Sequence, residues 1–107
     1  MNSKVKGSAG EREFAALLTE YGFPAHRNDQ RFIGGSGRPD VSAEGLDAFH
    51  FEVKRVERLN VPDAMKQAET DAAGRVPIVA HRRNRAPWLV TLHLDDFLKV
   101  LKGGAQL

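Results

Sequence analysis

Residues 38–54 run Arg38-Pro39-Asp40-Val41-Ser42-Ala43-Glu44-Gly45-Leu46-Asp47-Ala48-Phe49-His50-Phe51-Glu52-Val53-Lys54. Over the last six, apolar and polar side chains alternate with the two-residue period of a β-strand. Phe49, Phe51 and Val53 share one face, expected to enter a core, while His50, Glu52 and Lys54 share the other, expected to collect charge. The Cα atoms of Glu52 and Lys54 then stand roughly 6 to 7 Å apart on one side. Upstream, Pro39–Ala43 reads as a second strand, and a turn at Glu44-Gly45-Leu46-Asp47 folds the two into a hairpin. That pairing puts Asp40 beside Glu52.

Two carboxylates and an ammonium on one sheet face suit phosphodiester hydrolysis. The reaction needs a hard cation on carboxylate oxygens, with open positions for water and the scissile phosphate. Asp40 and Glu52 would supply the oxygens, and Lys54 would act on the water or on charge developing at phosphorus. A half-exposed strand with Glu52 and Lys54 merely solvated has the same spacing, so the triplet alone does not choose.

The rest of the pattern narrows the choice. Pro39-Asp40, then eleven residues, then Glu52-Val53-Lys54 resembles the PD-(D/E)XK nuclease superfamily. With Lys6-Gly7-Ser8-Ala9-Gly10-Glu11-Arg12-Glu13-Phe14, Tyr21-Gly22-Phe23 and Gly35-Ser36-Gly37-Arg38 added, the chain is similar to Holliday-junction resolvases of the archaeal and phage type, from about Lys6 to Leu98. The resemblance implies an α/β, restriction-endonuclease-like core and a Mg2+-dependent endonuclease, with Mn2+ expected to substitute. It implies catalytic roles for Glu11, Asp40, Glu52, Lys54 and Ser36, with Asp40, Glu52, the Val53 carbonyl and Glu11 around the metal. It also implies a homodimer, because two symmetric nicks in a junction need two sites related by a two-fold axis.

Composition sets wider bounds. The 107 residues include 16 basic and 14 acidic side chains, a formal charge of +2, and no cysteine. One domain spanning 1–107 is expected, without disulfides or thiolate zinc sites. No apolar run is long enough to span a bilayer and no signal-peptide pattern opens the chain, so the expectation is a cytoplasmic protein of a bacterial, archaeal or phage-infected cell. The net charge is modest, and its distribution carries more than its sum. Candidate DNA contacts are Lys6, Arg31, Arg38, Arg55, Arg82, Arg83 and Arg85; solvated loop arginines are the alternative for each cluster.

Ser8-Ala9-Gly10-Glu11 fits a capping box, placing the first helix start at Ser8 after a loose basic arm over residues 1–6. Phe14, Leu17, Leu18 and Tyr21 form its apolar stripe. Glu11 has a capping role open to it, yet at about 100° per residue it falls at the edge of the stripe, toward the sheet. Glu13 suits a salt bridge or solvent. Phe23–Asn28 reads as a strand, and Asp29–Gly37 as a loop whose glycines permit phosphate approach but also suit any mobile loop. No Gly-x-x-x-x-Gly-Lys pattern is present, so no nucleotide cofactor is expected.

Pro62 suits the first turn of a second helix that Gly74 stops, with Val61, Ala64, Met65, Ala68 and Ala72 inward. Gln67, beside that stripe, is either a polar residue of the site or an exposed helix former. Val76–Ala80 and Trp88–His93 make a second hairpin whose basic tip either touches phosphates or keeps the hairpin soluble. A last helix starts at Asp95 or Asp96, and Gly103–Leu107 is a frayed tail. None of the four histidines has metal-ligand spacing, and His50, which shares the charged face with Glu52, is either a satisfied surface histidine or a residue that supports the site or contacts DNA. Tyr21, Phe32 and Trp88 are either interface anchors or buried in their own subunit.

The expected architecture is αβββαββα, a mixed central sheet flanked by helices. The expected activity is a metal-dependent, structure-selective endodeoxyribonuclease that cuts branched DNA, Holliday junctions above all, with branched or duplex DNA as its partner. A generic repair or restriction nuclease and a non-catalytic DNA-binding module on the same fold are the alternatives.

Overall fold

The computed structural model describes residues 3–28 and 39–103, with side chains from Ser8 onward. The alternating stretch forms strand β3 (Phe49–Arg55). It is antiparallel to β2 (Val41–Ala43), which is antiparallel to the edge strand β1 (Ala25–Arg27). On its other side β3 runs parallel to β4 (Val76–Arg82), with Glu52 beside Val79 and Val53 beside Ala80. Parallel neighbours need a crossover, and helix α2 (Val61–Asp71) supplies it. Strand β5 (Leu89–Thr91) closes the order β1-β2-β3-β4-β5 as an antiparallel neighbour of β4. Helix α1 (Ser3–Glu20) precedes the sheet and α3 (Leu94–Leu101) follows it. This is the expected αβββαββα order.

Two apolar layers hold the sheet. On one face Phe14 and Ala15 of α1 pack with Val41, Phe51, Val53, Val76, Ile78 and Ala80, and Phe14 meets the rings of Phe51 and Trp88. On the other, Ala64, Met65 and Ala68 of α2 pack on Val79. Asn60 caps α2, its side chain accepting from the Asp63 N–H at 3.1 Å, with Pro62 in the first turn. Gly10 sets how closely α1 approaches: a Cβ there would lie 2.8 Å from the Cβ of Arg55 on β3.

Several expectations need correction. Helix α1 starts at Ser3, so residues 3–6 are helical rather than a loose arm, and Ser8 lies inside the helix instead of capping it. Nothing in Lys4–Gly7 forbids helix, and the Ser8 hydroxyl accepts from the Arg27 guanidinium at 3.1 Å, so it is not needed as a cap. Tyr21 is 76% exposed, beyond the last turn of α1, and Ala15 takes the buried place. The even-numbered face of β3 is not a charged surface: His50 and Glu52 are buried because the small side chains of α2 let that helix lie close over the sheet.

Candidate active site

Asp40 sits where β2 meets β3, and backbone contacts fix it on both sides. Its N–H donates to the Phe51 carbonyl and its carbonyl accepts from the Asn28 N–H, both at 2.9 Å. One pleat further along β3, the Val53 N–H points to the same edge and donates to Asp40 Oδ2 at 2.8 Å. A strand residue carries its N–H and C=O on one edge. The Val53 carbonyl is therefore directed toward the edge that Asp40 occupies.

Buried Asn28 secures this corner. Its side-chain amide donates to the Pro39 carbonyl and to Ser42 Oγ, each at 2.8 Å. A single asparagine at a strand end gives no periodic signal, and sequence reasoning missed it.

Glu52 is 3% exposed, and its Oε1 lies 2.8 Å from Nε2 of fully buried His50. The surface reading of His50 is overturned for the same reason as the exposed face of β3. Lys54, two residues on, is half-buried. Glu11 faces the sheet as its helical phase requires and pairs with Arg27, Nε to Oε1 at 3.0 Å. Arg27 was the second residue missed.

These groups feel one another. Burial pushes the Asp40 carboxyl up to about 7, and the negative charges of Glu52 and Glu11 add to the rise, while the Val53 hydrogen bond and Lys54 oppose it. Glu11 is raised as well, chiefly by burial and partly by Glu52, against the pull of Arg27 and Lys54. Glu52 and Glu11 are thus near enough for their charges to act on Asp40. Among the described residues no three carboxylate or imidazole groups are placed to enclose a metal, because Glu11 is drawn to Arg27 and Glu52 to His50.

The donor set nonetheless fits a hard cation. Magnesium commonly takes only one or two protein carboxylates and keeps water or phosphate in its other positions. Asp40, whose carboxyl is pushed up to about 7 among its acidic neighbours, is a group a cation would relieve.

No protein-family model matches the chain, and no curated protein matches it. Among solved structures, Hjc, a Holliday junction resolvase from the archaeal hyperthermophile Archaeoglobus fulgidus, aligns with 80% of this chain and 76% of its own, at TM-score 0.62 and 27% sequence identity. The chain has the fold of an archaeal Holliday junction resolvase. The resemblance carried by Pro39-Asp40 and Glu52-Val53-Lys54 is thus matched in three dimensions, by a mixed five-stranded sheet flanked by helices.

On this resolvase fold the basic candidates divide. Arg55 and Arg82 converge on Glu13, Arg55 Nε at 3.2 Å from Oε2 and Arg82 Nη1 on Oε1, which also accepts from the Trp88 indole at 3.1 Å. Their heads are paired with this half-buried carboxylate, and Glu13 takes the salt-bridge role expected of it. Arg83 and Arg85, at the β4–β5 turn, are exposed. Trp88 is half-buried in its own chain. Gln67 is exposed on α2. Ser36, Arg31, Arg38, Phe32 and the Lys6 side chain lie outside the described residues. Among the described residues no helix is long and apolar enough to cross a membrane.

Proposed function

We propose that this chain is a metal-dependent, structure-selective endodeoxyribonuclease that cuts branched DNA, with the four-way junction as its substrate. The observation that carries the reading is the docking of Asp40 on the Val53 N–H, beside buried Glu52 and Lys54. The fold neighbour, a Holliday junction resolvase, supports the branched substrate.

Asp40, Glu52 and the Val53 carbonyl would hold Mg2+, or Mn2+ in its place, with Glu11 completing the site. When bound, the ion supplies Lewis-acid polarisation of the phosphate and a more acidic water. The water oxygen forms a bond to phosphorus and gives up its proton to solvent, while the bond from phosphorus to the leaving sugar oxygen breaks and that oxygen takes a proton from solvent. Lys54 places its ammonium against the charge that develops on the phosphoryl oxygens. Exposed Arg83 and Arg85 would meet backbone phosphates without reading sequence.

A homodimer would set two such sites about a two-fold axis. In support, Leu94, Phe97, Leu98 and Leu101 of α3 are all exposed and recur at the i, i+3, i+4, i+7 spacing of one helical face.

The test offers a fixed four-way junction, its component duplexes and a single strand, with and without Mg2+. Cleavage of the junction in Mg2+ and not in chelator is expected. Equal cutting of every duplex would favour the generic nuclease, and binding without cutting in either Mg2+ or Mn2+ would favour the DNA-binding module.

A further inference from the structure

His50 is the largest fully buried side chain among the described residues. It lies two residues before Glu52 on the same face of β3, beneath the helix whose Ala64, Met65 and Ala68 pack on Val79. Its register neighbour on β4 is buried Pro77, a rigid ring. With its proton on Nε2, His50 donates to Glu52 Oε1 across the 2.8 Å between them. The other ring nitrogen, Nδ1, is buried with no hydrogen-bond partner among the described residues.

That arrangement is a poor choice for packing alone. Leucine or phenylalanine would fill the same space without stranding a polar nitrogen. What an aliphatic or phenyl side chain cannot do is grip one oxygen of Glu52 and so fix the rotation of its carboxylate.

We propose that His50 is a positioning residue for Glu52: by holding Oε1 from within the sheet it turns Oε2 toward the edge where Asp40 and the Val53 carbonyl converge, and so presets the cation site. The proposal rests on the metal-dependent reading of the site. An outer partner that orients a ligand typically contributes 10- to 100-fold in metal affinity.

The experiment measures Mn2+ binding by the free-ion electron paramagnetic resonance signal in the wild type, His50→Phe and His50→Gln, with thermal melting and junction affinity recorded on each. Glutamine can reach Glu52 with an amide N–H, whereas phenylalanine keeps volume and loses the donor. His50→Phe is expected to bind Mn2+ about 10- to 100-fold more weakly, with junction affinity unchanged and turnover reduced, and His50→Gln is expected to recover most of the loss.

Unchanged Mn2+ affinity in a folded His50→Phe protein overturns the proposal. Should that variant not fold, nuclear magnetic resonance on the wild type decides: the His50 Nε2 resonance is expected to move as Mg2+ is added, and an unmoved resonance in a protein that binds Mg2+ overturns the positioning role. A wild type that binds neither ion defeats the metal reading itself, and this inference with it.

Discussion

The Oδ2 atom of Asp40 accepts the Val53 N–H at 2.8 Å, so an acidic side chain occupies the place on β3 where a paired strand would offer a backbone carbonyl. Asparagine at position 40 keeps that acceptor and loses the charge. Asp40→Asn is therefore expected to stay folded, to lose about 10³-fold or more in cleavage rate, on the scale of removing a key electrostatic group, and to bind junction DNA at least as tightly as wild type. Gel-shift and single-turnover cleavage assays on one preparation read both outcomes.

The carboxyl of Asp40 also sets a pH dependence. Its folded value, about 7, stands above the ordinary 3.8. A raised acid contributes stability that is full below the unfolded value and is lost as pH rises through the folded one, so the window runs from about pH 4 to about pH 7. The loss is of order a few kcal/mol. Thermal melts at pH 5 and pH 8 in chelator are expected to show the wild type less stable at pH 8, the Asp40→Asn protein much less affected, and added Mg2+ restoring the wild type at the higher pH. Mn2+ affinity is expected to climb up to pH 7 and level off above it, because cation and proton compete for the same oxygens.

Gly10 faces the Cβ of Arg55 with no room for a methyl group. Gly10→Ala is expected to push α1 away from β3 and cost about 1 to 3 kcal/mol, although alanine is the better helix former. A lower denaturation midpoint measures it. A rise in midpoint would mean the helix shifts without penalty.

The face of α3 can be tested without disturbing the core, because none of its residues is buried. Leu98→Glu or Phe97→Asp is expected to leave the melting temperature of the subunit within a few degrees and to convert a dimer into monomers, read by sedimentation velocity. A wild type that is monomeric at micromolar concentration would remove the homodimer from the proposal.

The arginines divide by what holds them. Arg83→Ala and Arg85→Ala are expected to weaken junction binding alike across sequences and to make the dependence of log affinity on log salt shallower by about 1 for each phosphate left without its cation. Arg82→Ala is expected to act on stability, because it takes a cation from Glu13. A denaturation curve distinguishes the two effects.

The two-residue alternation from Phe49 to Lys54, the stop at Gly74 and the proline opening α2 are local signals, and they determined the order of elements and the placing of Asp40 beside β3. The spacing of Asp40, Glu52 and Lys54 brought them together for the same reason, since strand geometry carries neighbouring residues along with it, and the resemblance to junction resolvases supplied the chemistry. Tertiary structure decided the rest, because it depends on groups distant in sequence. The small side chains of α2 bury His50 and Glu52, Arg27 draws Glu11 aside, Glu13 gathers Arg55 and Arg82, and Asn28 ties down the Pro39-Asp40 corner. A sequence period reports which way a side chain leaves its own backbone. What covers that side chain, and which charge answers it, is set only when the helices close over the sheet.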